Sequence, residues 1–567
     1  MILVYLIVIL MVGGTMAWIV GKRNALISRY ISLIAVFINF IITTMIFFQQ
    51  GMDGSKTWLI EYTAKWIPKF GIELHLALDG LSLLMLLLTF FIGIIAVLIS
   101  WKEIKVNVGF FHFNILFILA GITGVFLSMD LFLFYFFWEV MLIPMYFLIG
   151  MWGHENRIYA SYKFFIFTQA SGLLMFLAIL GLYLVHGSTT GVYTFDYQQL
   201  LGTQMSSSME MLLMCGFLAA FLVKLPVVPF HSWLPDAHTE APTAGSLILA
   251  SLMLKTGAYG LLRFVVPLFP NAAETFAPIG MLLGVIGILY GAKLAFAQTD
   301  FKRLVAYTSV NHMGFIVLGV FAFNELAYQG VVMQIIAHGI STGALFIIAG
   351  QLYERMHTRD LTKMGGLWTQ VPVLGGIGLI FVMASLGLPG LGNFIAEFLT
   401  LSGTYQSSIL FACLASIGLV AGTIYAIRIM QKVFYGKQNS DLKIEDLSLR
   451  ESVALGALVI VILYLGLFPQ SVINTAKPAI FKTLNIKEQS FALKGDKAND
   501  KISYQNNSKG PYFSNILNIK TCFDYLSAAS LWQAGAQHDI SNRYKAFCHF
   551  ERSREIKIYR TIIISKK

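Results

Sequence analysis

Met211-Leu-Leu-Met-Cys-Gly-Phe-Leu-Ala-Ala-Phe-Leu-Val-Lys-Leu-Pro-Val-Val228 is an apolar helix with one charge near its middle, Lys224, and a proline two residues later. An ammonium in hydrocarbon costs about +2.5 to +3.5 kcal/mol on insertion scales, and a proline removes a helical hydrogen bond. A second stretch, 379–401, repeats the design with the opposite sign. There Glu397 follows a break at Gly387, Pro389, Gly390 and Gly392. A buried charge beside an interrupted membrane helix, once in each half of a chain, points to an ion or proton path.

The surrounding composition fits a membrane protein. The chain of 567 residues is 57% hydrophobic and 12% charged, against about 25% charge in soluble domains. Fourteen apolar runs are long enough to span a bilayer, at roughly 2–21, 30–49, 79–101, 109–128, 131–151, 160–186, 209–229, 243–267, 277–297, 303–323, 328–351, 371–402, 408–434 and 452–469. The first lacks a positive n-region and is too long for an h-region, so it reads as a retained helix. The expected class is an all-α polytopic membrane protein.

The net charge of +11 is unevenly placed. Residues 1–469 hold 24 Lys+Arg against 22 Asp+Glu, and residues 470–567 hold 16 against 7. The basic balance belongs to the tail and gives the membrane part no nucleic-acid partner. Alternate connections carry Lys22, Arg23, Arg29, Lys102, Lys105, Arg157, Lys163, Lys293, Lys302, Arg303, Arg355, Arg359 and Lys363, while the others carry mainly Lys56, Lys65 and Lys69. The positive-inside rule places the rich set in the cytoplasm and, with fourteen spans, both termini on the outer side.

Charged positions recur at a fixed spacing. Glu139 and His312, Lys224 and Glu397, and Lys255 and Arg428 are each 173 residues apart. The reading is two five-helix repeats, each with a broken helix. Five is odd, so the second repeat is inverted. The expected division is three N-terminal spans in 1–107, the repeats in 108–267 and 275–435, a loop and last span in 436–470, and a polar, basic, mostly disordered or weakly helical tail in 471–567. Within that tail, Cys548 to Ile556 looks like translated repetitive DNA.

The candidate path consists of Glu139, Lys224, Lys255 and Glu397, with His312 and His338 as relays. Burial disfavours a lysine's charge and a nearby carboxylate restores it, so Lys224 opposite Glu139 suits proton storage. A static Glu139–Lys224 ion pair is the alternative, but stability alone explains a buried pair poorly. Lys255 could pass the proton sideways or simply snorkel to a surface. His312 and His338 could relay protons, sit as core histidines or ligate a haem. The loop His231-Ser-Trp-Leu-Pro-Asp-Ala-His-Thr-Glu-Ala-Pro-Thr-Ala-Gly245 reads as a cytoplasmic mouth, with Asp236, His238 and Glu240 collecting protons. Metal ligation or plain turn chemistry would also suit it. Cys215, Cys413, Cys522 and Cys548 form no C-x-x-C pair, so no iron–sulfur cluster is expected, and the first two read as buried thiols.

Trp138-Glu139, Met141-Leu-Ile-Pro-Met-Tyr146, the run from Lys224 to Gly245 and Ser251-Leu-Met-Leu-Lys-Thr-Gly-Ala-Tyr-Gly260 resemble the antiporter-like subunits of respiratory complex I. The resemblance covers about residues 1–470 and is most specific at 224–260. Most members carry Lys in the second broken helix, and a glutamate such as Glu397 marks one of them. The resemblance implies a first-channel pair Glu139–Lys224, a central link Lys255 and an exit residue Glu397. It implies outward proton pumping driven by NADH oxidation and quinone reduction elsewhere in the complex, in a bacterial inner membrane. NADH, FMN, iron–sulfur clusters and quinone would belong to other subunits, with no cofactor or metal in this chain. Its partners would be the lipid bilayer and other membrane subunits, above all neighbouring antiporter-like ones. A subunit of a multi-subunit cation/proton antiporter is the second reading, and a haem- or quinone-bearing electron carrier the third. From the tail's composition, ending the chain near Lys487 is expected to leave assembly and pumping intact; loss of the assembled complex on native gels would make the tail an interaction element.

Overall fold

The computed structural model describes residues 1–50, 58–436 and 444–499. The chain divides into Met1–Asp496 and Lys497–Lys567. The expected tail beyond residue 499, with Cys522 and Cys548, lies outside the described residues.

The first unit is a helical bundle. Among the described residues, 12 helices are long and apolar enough to cross a membrane. Helices dominate because a backbone in hydrocarbon must satisfy its own polar groups. Two further helical segments lie among them: Phe301–Val320, and the pair Pro372–Ser385 and Gly392–Ser407. That pair is interrupted where Gly387 and Gly390 take φ of 76° and 95°, a region that favours glycine. The other interruption follows Ser207–Lys224, before the short helix Trp233–Glu240.

One element departs from the all-helical expectation. Residues 60–78 form an antiparallel hairpin of Ile60–Ile67 and Ile72–Leu78, with Ile60 opposite Leu78. Pro68–Phe70 make the turn and Gly71 closes it at φ 66°. His75 of this hairpin sits between Glu61, at 2.8 Å, and Asp196. Burial works against the His75 proton, but the two carboxylates outweigh it and raise the pKa.

Burial is graded across the bundle. In the most apolar window of Thr243–Leu268 and of Glu325–Met356 every residue is buried, against a third for Ile409–Phe434 and Leu449–Leu467. The two central helices carry Lys255 and His338. Thr243–Leu268 winds as π-helix at Leu249–Met253 and Leu261–Val265, on either side of Lys255. Such bulges are frequent at functional sites. Gly257 lets this helix approach the Lys224 helix: a Cβ there would lie 2.8 Å from the Phe221 carbonyl and 3.1 Å from the Leu225 nitrogen.

A pair of matching clasps is consistent with the internal repeat. Asp130 caps Leu131–Trp152, and Asp300 caps Phe301–Val320. Each Asp bridges to a second Asp, Asp196 and Asp360 respectively. Leu131 N donates to Phe195 O at 2.9 Å and Tyr197 N to Met129 O at 2.7 Å. In the second copy Phe301 N donates to Arg359 O at 2.9 Å and Leu361 N to Thr299 O at 2.8 Å. Asp196 N and Asp360 N both donate to a threonine hydroxyl two residues earlier, Thr194 at 3.1 Å and Thr358 at 3.2 Å. An odd number of spans lies between the clasps, as inversion requires. The spacing is less uniform than the 173-residue offset: Lys255 is buried inside its helix, whereas Arg428 is only half-buried, near the end of Ile409–Ile429.

Two local expectations are corrected. The helix Gln470–Asn499 begins inside the folded body, with Val472, Ile473, Ala476, Ala479 and Ile480 buried. Its apolar positions are spaced three and four apart, which makes one helical face. Cys215 and Cys413 are exposed rather than buried.

Near the hairpin, Asp79 caps Gly80–Glu103 and pairs with the buried Arg263. The Arg263 guanidinium lies 5.4 Å from the Trp58 ring centroid, and the Lys482 ammonium lies 4.5 Å from it. Arg263→Met strands the Asp79 charge and is expected to cost about 3–5 kcal/mol, while Asp79→Asn added to it recovers most of that. Thermal stability of the detergent-extracted complex checks this; equal losses in the single and double variants would refute it.

Candidate proton path

Glu139 lies in Leu131–Trp152 and Lys224 is the last residue of Ser207–Lys224. Lys224 is buried and its Nζ has no hydrogen-bond partner; Glu139 Oε1 is likewise unpartnered. The ammonium sits 5.1 Å from the Trp138 ring centroid and 5.7 Å from that of Phe164. Aromatic faces stabilise a cation without fixing its proton. Tyr135 and Gln169 stand beside the Glu139 carboxylate. The two charges are within electrostatic reach of each other but do not form the close contact that a static ion pair requires. The break behind Lys224 is held by Trp233 Nε1, which donates to Val223 O at 3.0 Å.

The second group is a row of close neighbours. Lys255 Nζ lies 2.6 Å from His338 Nδ1. The rings of His338 and His312 are 5.3 Å apart. His312 Nδ1 lies 3.2 Å from Glu397 Oε1. All four residues are buried. His312 Nε2 meets the Ser385 hydroxyl at 3.3 Å and the Tyr425 hydroxyl at 3.4 Å. Ser385 ends the half-helix before the second break, and a Cβ at Gly387 would come within 2.6 Å of Glu397 Oε2. The glycine therefore serves both the turn and the carboxylate. A small cavity of about 10 Å³ borders His312, Ser385, Glu397 and Tyr425, room for about one water.

The residues of the mouth separate on inspection. Asp236 is engaged by Lys163 at 2.6 Å and Arg303 at 3.4 Å. Glu240 accepts from Asn156 N at 2.9 Å and lies 3.6 Å from Arg359. His238 has neither ring nitrogen bonded and stacks on Phe346, centroids 4.4 Å apart. Among the described residues, no cluster of three or more His, Cys, Asp or Glu could hold a metal ion.

Sequence reasoning passed over Asp79, Arg263, Glu103 and Lys302. Arg263 was signalled by its spacing: Lys255, Tyr259 and Arg263 fall four apart on one helix face. Lys302 resembled any cation of a Lys-rich connection, yet it is buried, with Nζ donating to Ala241 O at 2.9 Å.

This geometry has known relatives. Residues 128–423 match the family described as NADH:quinone oxidoreductase/Mrp antiporter, TM. NADH-quinone oxidoreductase subunit M of Escherichia coli K12 is 51% identical over 493 residues, covering 85% of this chain and 97% of that one. Among solved structures, a chain of respiratory complex I from Thermus thermophilus superposes with a TM-score of 0.78 at 30% identity, covering 86% of this chain and 99% of that one. A chain of the Mrp complex from a Dietzia species gives a TM-score of 0.77 at 19% identity, covering 87% and 99%, a likeness of fold alone. The bundle, its broken helices and these matches together mean that the chain belongs to the subunit M family of NADH-quinone oxidoreductases, the antiporter-like membrane subunits of complex I.

Proposed function

We propose that protons cross this subunit along two linked half-channels, Glu139–Lys224 and Lys255–His338–His312–Glu397. The observation that carries the reading is the row of buried neighbours from the Lys255 ammonium through two imidazoles in ring contact to the Glu397 carboxylate. A neutral imidazole takes a proton on one nitrogen and releases one from the other. The step is balanced: Lys255 gives up a proton to His338, His338 passes one to His312, and the Glu397 carboxylate takes one from His312 and becomes the acid. Lys224 and Lys255 lie on helices that touch at Gly257, which supports a lateral transfer between the half-channels through water.

The Lys/Arg-rich connections favour a cytoplasmic side for proton uptake and an outer side for both termini. The proposed division of labour leaves the redox chemistry to other subunits and assigns no cofactor to this chain. The absence of a close Glu139–Lys224 pair and the unpartnered Lys224 Nζ favour this path over a static structural role.

Lys224→Ala leaves Glu139 without its countercharge, and Glu139→Gln removes the attraction that keeps the Lys224 proton. Each is expected to lower coupled NADH:quinone turnover and proton pumping together, by roughly tenfold or more. NADH oxidation by an artificial acceptor stays near the parental rate. Pumping by both variants at that rate, at matched amounts of assembled complex, would mean the charges are structural.

Glu397→Asp keeps a titratable group beside His312, whereas Glu397→Gln does not. Pumping is expected to fall less in the first. The same vesicle assay decides, and equal losses would deny Glu397 a proton-carrying role.

A further inference from the structure

The face that bears the Lys/Arg-rich connections contains a cleft of about 770 Å³ that the path above does not use. Its lining includes Glu103, His154, Glu354 and His357. A second cavity of about 370 Å³ shares His154 and His357 with it.

Several buried polar atoms leading inward from this cleft have no hydrogen-bond partner: Glu354 Oε1, His154 Nε2, Glu103 Oε2 and both nitrogens of His238. Buried polar atoms are nearly always satisfied, so a row of exceptions needs a cause. Each member acts electrostatically on the next. Glu354 feels Glu103, Glu103 feels Lys302, and His238 feels both Lys302 and Lys255. Glu103 also ties the cleft to the start of the Lys255 helix, since its Oε1 accepts from Thr243 N at 2.9 Å and from Thr243 Oγ1 at 3.0 Å. Asp236 and Glu240 are poorly suited as collectors, because each is paired with a cation.

We propose that this cleft is the proton intake serving Lys255, with Glu354 and Glu103 as collecting carboxylates and Lys302 and His238 as the relay. A proton from cleft water adds to a collecting carboxylate. The Lys302 ammonium passes a proton to one nitrogen of His238 and is reprotonated by the Glu103 acid. The other nitrogen of His238 releases its proton to neutral Lys255. The net result is one proton moved inward, with no charge left behind. This intake rests on Lys255 being a member of the path.

The test uses the assembled complex in everted membrane vesicles, assayed for NADH-driven proton pumping and NADH:quinone turnover. Glu103→Gln combined with Glu354→Gln is expected to lower both roughly tenfold, Glu103→Asp to retain most of the activity, and formate to restore part of it to Glu103→Ala. A purely structural Glu103 would give no formate rescue. Val106→Cys, at the exposed lip of the cleft, supplies a readout that leaves the carboxylates intact. Reaction with a bulky, membrane-impermeant maleimide is expected to depress pumping in proportion to labelling, beyond the effect on the parent chain. Lys255→Ala is the control. Parental pumping by the double carboxylate variant and by the labelled cysteine variant, with Lys255→Ala inactive, overturns the intake and leaves the path standing. Parental pumping by Lys255→Ala overturns the path itself.

Discussion

The contact between the Lys255 ammonium and His338 Nδ1, at 2.6 Å and wholly inside the protein, is the constraint on which the rest of the architecture turns. A lone ammonium in a low-dielectric interior is heavily penalised, and imidazole is a good acceptor that can also release a proton. Holding that contact requires two central helices buried on every side. It also requires a local departure from α-geometry on both flanks of Lys255, which the π segments supply. The outer helices can stay largely exposed because they carry no such group.

Two breaks answer the same problem from either end. A continuous helix offers a buried charge only side chains, since its backbone groups are already paired. An interrupted one frees carbonyls and amides at membrane depth, which is tolerable only against protein or water. Lys224 ends the half-helix before its break, and Glu397 follows the other break closely. The breaks thus sit on opposite sides of their charges along the chain. The Asp130–Asp196 and Asp300–Asp360 clasps repeat more faithfully than the channel residues do. Clasps anchor helix ends, where backbone hydrogen bonding fixes the solution, whereas the charged positions of the proposed path differ in sign between the two breaks.

Much of this was legible in the sequence. Apolar length gave the spans, and isolated charges in apolar helices singled out Glu139, Lys224, Lys255 and Glu397, because hydrocarbon makes each of them conspicuous. The hairpin was legible too, through the strand-like run Ile60-Glu-Tyr-Thr-Ala-Lys-Trp-Ile67 and the turn signals Pro68 and Gly71. It was lost among longer spans because a spanning-length window averages over short strands. Lys302 and Glu103 were not legible. At the ends of helices both look like solvated residues of a connection, and only contact with the 241–243 segment buries Lys302 and holds the Glu103 carboxylate. The start of the last helix was hidden by its lysines, although Val472, Ile473, Ala476 and Ile480 already trace a face.

The sign of Glu397 gives the proposed path a direction of its own. Moving a proton from a lysine to a second lysine keeps one buried charge and merely relocates it. Moving a proton from Lys255⁺ to Glu397⁻ removes two buried charges at once. In a medium of low dielectric the neutral pair escapes most of the desolvation penalty that the separated ions carry. Within the proposed path, loading Glu397 cancels a pair of buried charges, and its release makes the carboxylate again. That step needs water or donors at the carboxylate. They are at hand on the side of the second break: the Ser385 and Tyr425 hydroxyls, the small cavity beside them and the open turn at Gly387. In the proposed path a glutamate at this position makes emptying the charge-creating step, and the broken helix sets polar groups beside it.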